Sequence, residues 1–274
     1  MKKKRGAVRE RARSAAYAWA FNSAEMQIEL DELVLEHRVA PWLHTSFVAP
    51  HVKNGKLEAV IVENKSGRGA LRARFFIDAT GDGDLCQRLG LETYRSGHRQ
   101  PSTTCATFSG WGSLEKTDWG RLLREHASEY GLPDGIANGS YRVDIHHDDK
   151  PGITFRYLDG RESYVRPGFP PEEGRWRPAG GVNPTFYQIP YRSLLPLGKH
   201  ANLLVAGRFI DADEQAHAAI RVMVNMNQTG EAAGTAAFLA LKNDQCAAGV
   251  DPELLRRMGW TPFSNQQELK ISYG

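Results

Sequence analysis

At 274 residues, with 41% hydrophobic and 24% charged positions, the chain has the composition of a globular protein with one large or two small cores. It has no run of 18 apolar residues and no apolar stretch behind its basic N-terminus, so neither a membrane span nor a secretory signal is expected. The net charge of +3 is concentrated in Lys2, Lys3, Lys4, Arg5, Arg9, Arg11 and Arg13 against Glu10 alone, which leaves the remainder at −3 and offers no basic body for nucleic acid. That arm carries no interleaved aromatics in its first 14 residues and reads as a solvated terminus. Cys86, Cys105 and Cys246 are spaced too widely for a disulfide framework or a zinc ligand set, and a reducing, cytoplasmic setting is expected.

Residues 7–38 read as helical. The spacing of Met26, Leu30, Leu33 and Val34 is close to 3.6, with Asn22 or Ser23 as N-cap and Glu25 and Glu29 near the first turns. Pro41 ends the pattern, and residues 42–46 read as a short strand. Three strands follow, Ser46–His51, Leu57–Glu63 and Leu71–Ala79, divided by turn clusters at 53–56 and 65–69. Asn54-Gly55 is a hairpin signal. The third strand is expected to run on through Phe75–Ala79.

From about residue 96 to 190 glycines and prolines become frequent, and only Trp119–Tyr130 reads as helical. This stretch is expected to be an inserted, β-rich cap. Apolar order returns at Tyr187, through Asn202–Gly207 and a helix over Ala219–Leu241. The expected division is therefore 1–95, 96–190 and 191–274, with the chain leaving a core domain and returning to it.

Two junctions stand out. Phe75–Ala79 ends in Thr80-Gly81-Asp82-Gly83-Asp84, and Asn202–Ala206 ends in Gly207-Arg208. Each is an apolar run ending in glycine, the pattern of a buried parallel strand whose carboxyl end opens on a ligand crevice. The pair predicts parallel neighbours in one sheet. In the following helix Gly230, Ala233, Gly234 and Ala237 fall at i, i+3, i+4 and i+7. Each interior glycine costs roughly 1 kcal/mol against alanine, so this stripe calls for close approach to a sheet or to a flat ligand. The helix start, near residues 218–222, would offer unpaired N–H groups to an acceptor.

Other candidates carry less. Asp82 and Asp84 lack the further oxygen ligands of a calcium loop, and Asp84 reads as N-cap for a short helix over Leu85–Leu89. His146-His147-Asp148-Asp149 reads as a solvated turn rather than a metal site. His217 is a weak candidate for an acid or base. The absence of G-x-S-x-G, H-E-x-x-H and a P-loop argues against the corresponding hydrolases and kinases.

The run Ile77–Leu85 resembles the internal A-T-G motif of FAD-dependent oxidoreductases with a glutathione-reductase-like flavin fold. The run Tyr187–Pro196 resembles a signature of one bacterial subgroup, and Gln100-Pro101-Ser102-Thr103 a recurrent stretch of it. Asn202–Arg208, Ala218–Met223 and Gly230–Ala237 resemble its C-terminal flavin motif. The resemblance spans roughly residues 25–242 and implies an α/β fold: an incomplete FAD-binding, Rossmann-like domain with an inserted β-rich cap. It implies that Ala79, Thr80, Gly81 and Asp82 line the dinucleotide side of FAD. Ala206, Gly207 and Arg208 would lie by the pyrophosphate and ribityl chain, and Arg221 and Val222 would approach the isoalloxazine, where a helix start favours negative charge. The implied activity is hydride transfer between a small-molecule substrate under the cap and the flavin. Members open with a strand, G-x-G-x-x-G and a helix. This sequence has no such turn, so a missing segment or a second chain is expected to complete the FAD site. The alternative is a truncated or non-catalytic remnant of the fold acting as a scaffold or subunit.

Overall fold

In the computed structural model, which describes residues 9–13, 16–20, 22–93, 134–147, 149–180, 186–198 and 200–259, the chain divides into two units. One comprises Met1–Thr45 and Ser102–Glu125, the other Ser46–Pro101 and His126–Gly274. The expected helix at 119–130 lies outside the described residues.

The first unit opens on an antiparallel hairpin, β1 (Arg9–Arg13) and β2 (Ala16–Ala20), followed by helix α1 (Ser23–Glu36). The helix expected over 7–38 is therefore confined to its second half. Tyr17 and Trp19 alternate with alanine at a period of two, a strand pattern that the alanine content hides. Asn22 caps α1, its side chain accepting from the N–H groups of Ala24 and Glu25 at 2.9 and 3.4 Å. Residues 42–45 form a turn, not a strand.

The second unit begins with the meander β3 (Ser46–Lys53), β4 (Lys56–Asn64) and β5 (Gly67–Arg72). Asn54 and Gly55 both take positive φ, 51° and 76°, as the tight hairpin turn requires. The third strand stops at Arg72, and the chain bends before β6 (Phe76–Asp78), which joins a different sheet. Helix α2 (Asp84–Arg88) follows directly.

Next come β7 (Gly135–Gly139), β8 (Val143–His146), β9 (Ile153–Arg156), β10 (Arg161–Val165) and β11 (Glu172–Arg175), the last four forming an antiparallel sheet in the order β11-β10-β9-β8. Arg142 stacks over Phe155 at 4.1 Å, and Arg156 pairs with Glu162 at 2.6 Å. Strand β12 (Tyr187–Pro190) pairs with β7. Then β13 (Leu203–Val205) pairs in parallel with β6, Leu203 opposite Phe76 and Val205 opposite Asp78.

Helices α3 (Glu214–Ile220), α4 (Met223–Lys242) and α5 (Pro252–Gly259) complete the described chain. The single helix expected over 219–241 is thus two, broken at Arg221-Val222. Helix α4 packs on β6, β7 and β13. Its buried face carries Ala232, Ala233, Ala236, Ala237 and Ala240 beside Asn225, Thr229 and Leu239, and the alanines let its backbone approach the leucines of β13. Gly230 and Gly234 do not belong to that contact. Both are exposed, and a β-carbon on either would meet nothing within 4 Å among the described residues. Of the expected stripe, Ala233 and Ala237 lie in the buried face, and its two glycines lie beside it.

Asn202 ties the meander to this core. Its buried amide donates to the carbonyls of Leu57 and Arg74 at 2.9 and 3.0 Å. None of the described helices is long and apolar enough to cross a membrane.

Candidate functional site

The first turn of the site is built around a carboxylate that is 1% exposed. Asp78 ends β6 with its side chain directed into its own chain. Oδ1 accepts from the N–H and hydroxyl of Thr80 at 3.1 and 2.8 Å, and Oδ2 accepts from the N–H of Cys86 at 3.0 Å. The Thr80 hydroxyl in turn accepts from the N–H of Asp84 at 2.9 Å. Asp84 is therefore the first residue of α2 rather than its cap, and Gly83, left-handed at φ 70°, occupies the cap position. Burial, and secondarily the Asp78 charge, pushes the Cys86 thiol up to about 12. Gly81, at φ 87°, turns the backbone between these braces.

The second turn lies beside the first because β13 is parallel to β6 and the Ala206 N–H donates to the Asp78 carbonyl at 2.9 Å. Gly207 takes φ 99°, and a β-carbon there would meet nothing within 4 Å among the described residues. Asp213 caps α3 by accepting from the N–H of Ala216 at 2.9 Å. One turn later His217 donates through Nε2 to the Arg208 carbonyl. A carbonyl only accepts, so the proton sits on Nε2. His217 thus anchors the second turn to α3. The Arg208 guanidinium crosses to the first turn, where Nη2 donates to Asp82 Oδ1 at 2.8 Å.

The structure therefore brings together Ala79, Thr80, Gly81 and Asp82 with Ala206, Gly207 and Arg208. Arg221 and Val222 stand at the break between α3 and α4 and connect to the second turn through α3, where the Arg221 N–H donates to the His217 carbonyl at 3.3 Å. A buried network holds the break. Asn225 donates to the Tyr187 hydroxyl at 3.0 Å and to the Ala219 carbonyl at 3.3 Å, and Tyr187 donates to that carbonyl at 2.8 Å. Burial pushes the Tyr187 hydroxyl up to about 12, so it remains a donor. On the next turn of α4 the Gln228 side chain meets both backbone groups of Asn138 in β7, at 3.0 and 2.9 Å.

Asp78, Asn225 and Gln228 are missing from the sequence-based candidates. Asp78 had a signal, a lone acid in the apolar run Phe75–Ala79. The partners of the other two lie 38 and 90 residues away and leave no local trace. The run from Tyr187 also proves to be a set of anchors, with Tyr191 donating to the Ala247 carbonyl at 2.7 Å and Arg192 Nη1 donating to both Asp134 oxygens at 2.6 Å. His147 bonds Thr154 at 2.8 Å, and no metal-holding group of His, Cys, Asp or Glu occurs among the described residues.

A family model described as "FAD dependent oxidoreductase" matches residues 1–131 and 121–258. A solved structure of a triple mutant of the flavin-dependent brominase Bmp2 is similar at a TM-score of 0.35 and 11% identity, over 89% of this chain and 62% of that one. The chain thus spans less than two thirds of that protein's length. No curated protein matches the sequence.

Proposed function

This chain belongs to the FAD dependent oxidoreductase family, whose cofactor is FAD, and we propose that its two glycine turns form the diphosphate side of the FAD site. The reading rests on one observation. Two parallel strands end side by side in left-handed glycines, Gly81 and Gly207, at the carboxyl edge where α/β sheets take ligands. The residues fit the group. Space lies open beside Gly207 among the described residues, and Arg208 supplies a guanidinium fork suited to phosphate oxygens.

In this reading β6 and β13 are two strands of a Rossmann-like sheet. Residues 134–190 contribute to the wall of a pocket for a small-molecule substrate. The bound flavin supplies hydride chemistry. The chain's own part is to neutralise and orient: Arg208 meets the diphosphate charge, the glycine backbones permit close approach, and the start of α4 at Val222-Met223 directs N–H groups toward negative charge. With its Nε2 engaged, His217 serves as a brace, and only Nδ1 remains for proton transfer. The sequence contains no G-x-G-x-x-G turn, so the 274-residue chain alone is proposed to bind FAD weakly, well below one per chain after purification.

Titration of the chain with FAD, followed by flavin fluorescence, tests this. Saturable binding that Gly207→Trp abolishes, with the melting temperature kept, is the expected result. Equal binding by both proteins would place the flavin elsewhere and overturn the assignment.

A further inference from the structure

The two glycine turns differ in what covers them. At Gly207 the space that a side chain would fill is open among the described residues. At Gly81 it is filled: an ideal β-carbon would lie 2.5 Å from Arg208 Nη1, 2.8 Å from Cζ and 3.0 Å from Nη2. The guanidinium is seated directly on the α-carbon of Gly81, and Asp82, the next residue, holds it there through a 2.8 Å ion pair. Arg208 therefore occupies the face that its glycine leaves clear.

Resting on the FAD reading above, the geometry points to a latch. Asp82 keeps Arg208 over Gly81 as a plug, and an incoming diphosphate must draw the guanidinium off the carboxylate to reach the turn. The carboxylate already engages Nη2 and its charge repels an incoming phosphate, so a diphosphate that takes Nη2 does so at the expense of the Asp82 contact. The construction suits a movable part. The Arg208 and Asp82 side chains are 58% and 76% exposed, and an ion pair so exposed adds little stability. The fixed parts lie behind it. The Arg208 carbonyl is held by His217, and the backbone leading to Asp82 is held by Asp78 through Thr80. The hinge is thus the arginine side chain alone, and Asp82 acts as a positioning residue through Arg208 rather than as a ligand of the cofactor.

The latch makes a prediction of sign. Asp82→Asn removes the competing anion and should tighten binding of FAD and of ADP by about 1.5- to fivefold, the range set by an exposed ion pair, while binding of adenosine, which lacks phosphate, stays unchanged. Arg208→Gln should weaken FAD and ADP. In the double variant the gain from Asp82→Asn should vanish, because Asp82 acts through Arg208. Dissociation constants from fluorescence and calorimetric titration read these effects, and unchanged melting temperatures confirm the fold. Weaker or unchanged binding of FAD and ADP by Asp82→Asn overturns the latch, as does the same gain in the Arg208→Gln background. Loss of FAD binding in Gly207→Trp together with no effect of Asp82→Asn would discard the latch and keep the FAD site. No binding of FAD or ADP by any variant would discard both.

Discussion

Replacing Asp78 with asparagine preserves shape and removes one acceptor. The native carboxylate meets three donors, the N–H and hydroxyl of Thr80 on one oxygen and the Cys86 N–H on the other. An asparagine offers a carbonyl to one side only, so its NH2 must face a donor on the other. Thr80 is exposed and can turn its groups to water, whereas Cys86 is buried. If the carbonyl keeps Cys86, the loss is two bonds to a charged group, partly recovered from solvent. If it keeps Thr80, a buried N–H is stranded at about 1–3 kcal/mol. Either arrangement also confronts two donors, and the net expectation is a loss of about 2–4 kcal/mol. At roughly 2 °C per kcal/mol for a chain of this size, melting should fall by about 4–8 °C, with a matching drop in the urea midpoint. Thr80→Val, which leaves both backbone donors to Asp78 in place but removes the hydroxyl's bonds to the Asp78 carboxylate and the Asp84 N–H, should cost about 1.5–3 kcal/mol. Stability of Asp78→Asn within about 0.5 kcal/mol of the parent would show that the carboxylate does not organise this turn.

Gly234→Ala should raise stability by about 0.5–1 kcal/mol, because the site is exposed, helical and free of neighbours among the described residues; a lower melting temperature would mean that the face is covered. Asn202→Ala should cost about 2–3 kcal/mol by stripping the donor from the Leu57 and Arg74 carbonyls, and an unchanged urea midpoint would contradict the staple. At pH 8 the native chain should be alkylated at exposed Cys246 and spared at Cys86 until urea is added, as read by peptide mapping. The Cys86 thiol is raised in the fold from 9.0 to about 12, so above pH 9 the unfolded chain releases its proton first and stability falls as pH rises. Cys86→Ala should flatten that part of the profile, and an unaltered slope would exclude the thiol as its source.

The parts of the fold legible in sequence were those with a local cause. Asn54-Gly55 demands two positive φ angles and so marks the hairpin, while the apolar runs 75–79 and 202–206 declare buried strands whose parallel pairing the structure bears out. Asn22 is readable as a cap because its side chain serves its own next residues. What could not be read depended on distant partners. The break at Arg221-Val222 has no proline or glycine to announce it, since Asn225 and Tyr187 impose it across 38 residues. The glycine–alanine stripe found the buried face at Ala233 and Ala237 but not at its glycines, for a geometric reason. Residues at i, i+3 and i+4 share a side of a helix without specifying its centre, and here the centre lies toward Ala232, Ala236 and Ala240. Of the site, the glycines and Arg208 were visible, but the Arg208–Asp82 contact needed the two turns to be set side by side.

That contact joins residues 126 positions apart, which gives the site a place in the order of folding. The β3–β4 hairpin needs only its two-residue turn and can form while the chain is short. Pairing β6 with β13 must close a loop of well over a hundred residues, about 2 kcal/mol more costly in chain entropy than closing one of ten. Contacts of such range form late and slow the folding that depends on them. During synthesis the first glycine turn must wait for most of the chain before its neighbour exists. Seating of Arg208 on Gly81 therefore dates the arrival of the second turn, and a probe at that position would follow the closing stage of folding rather than its start.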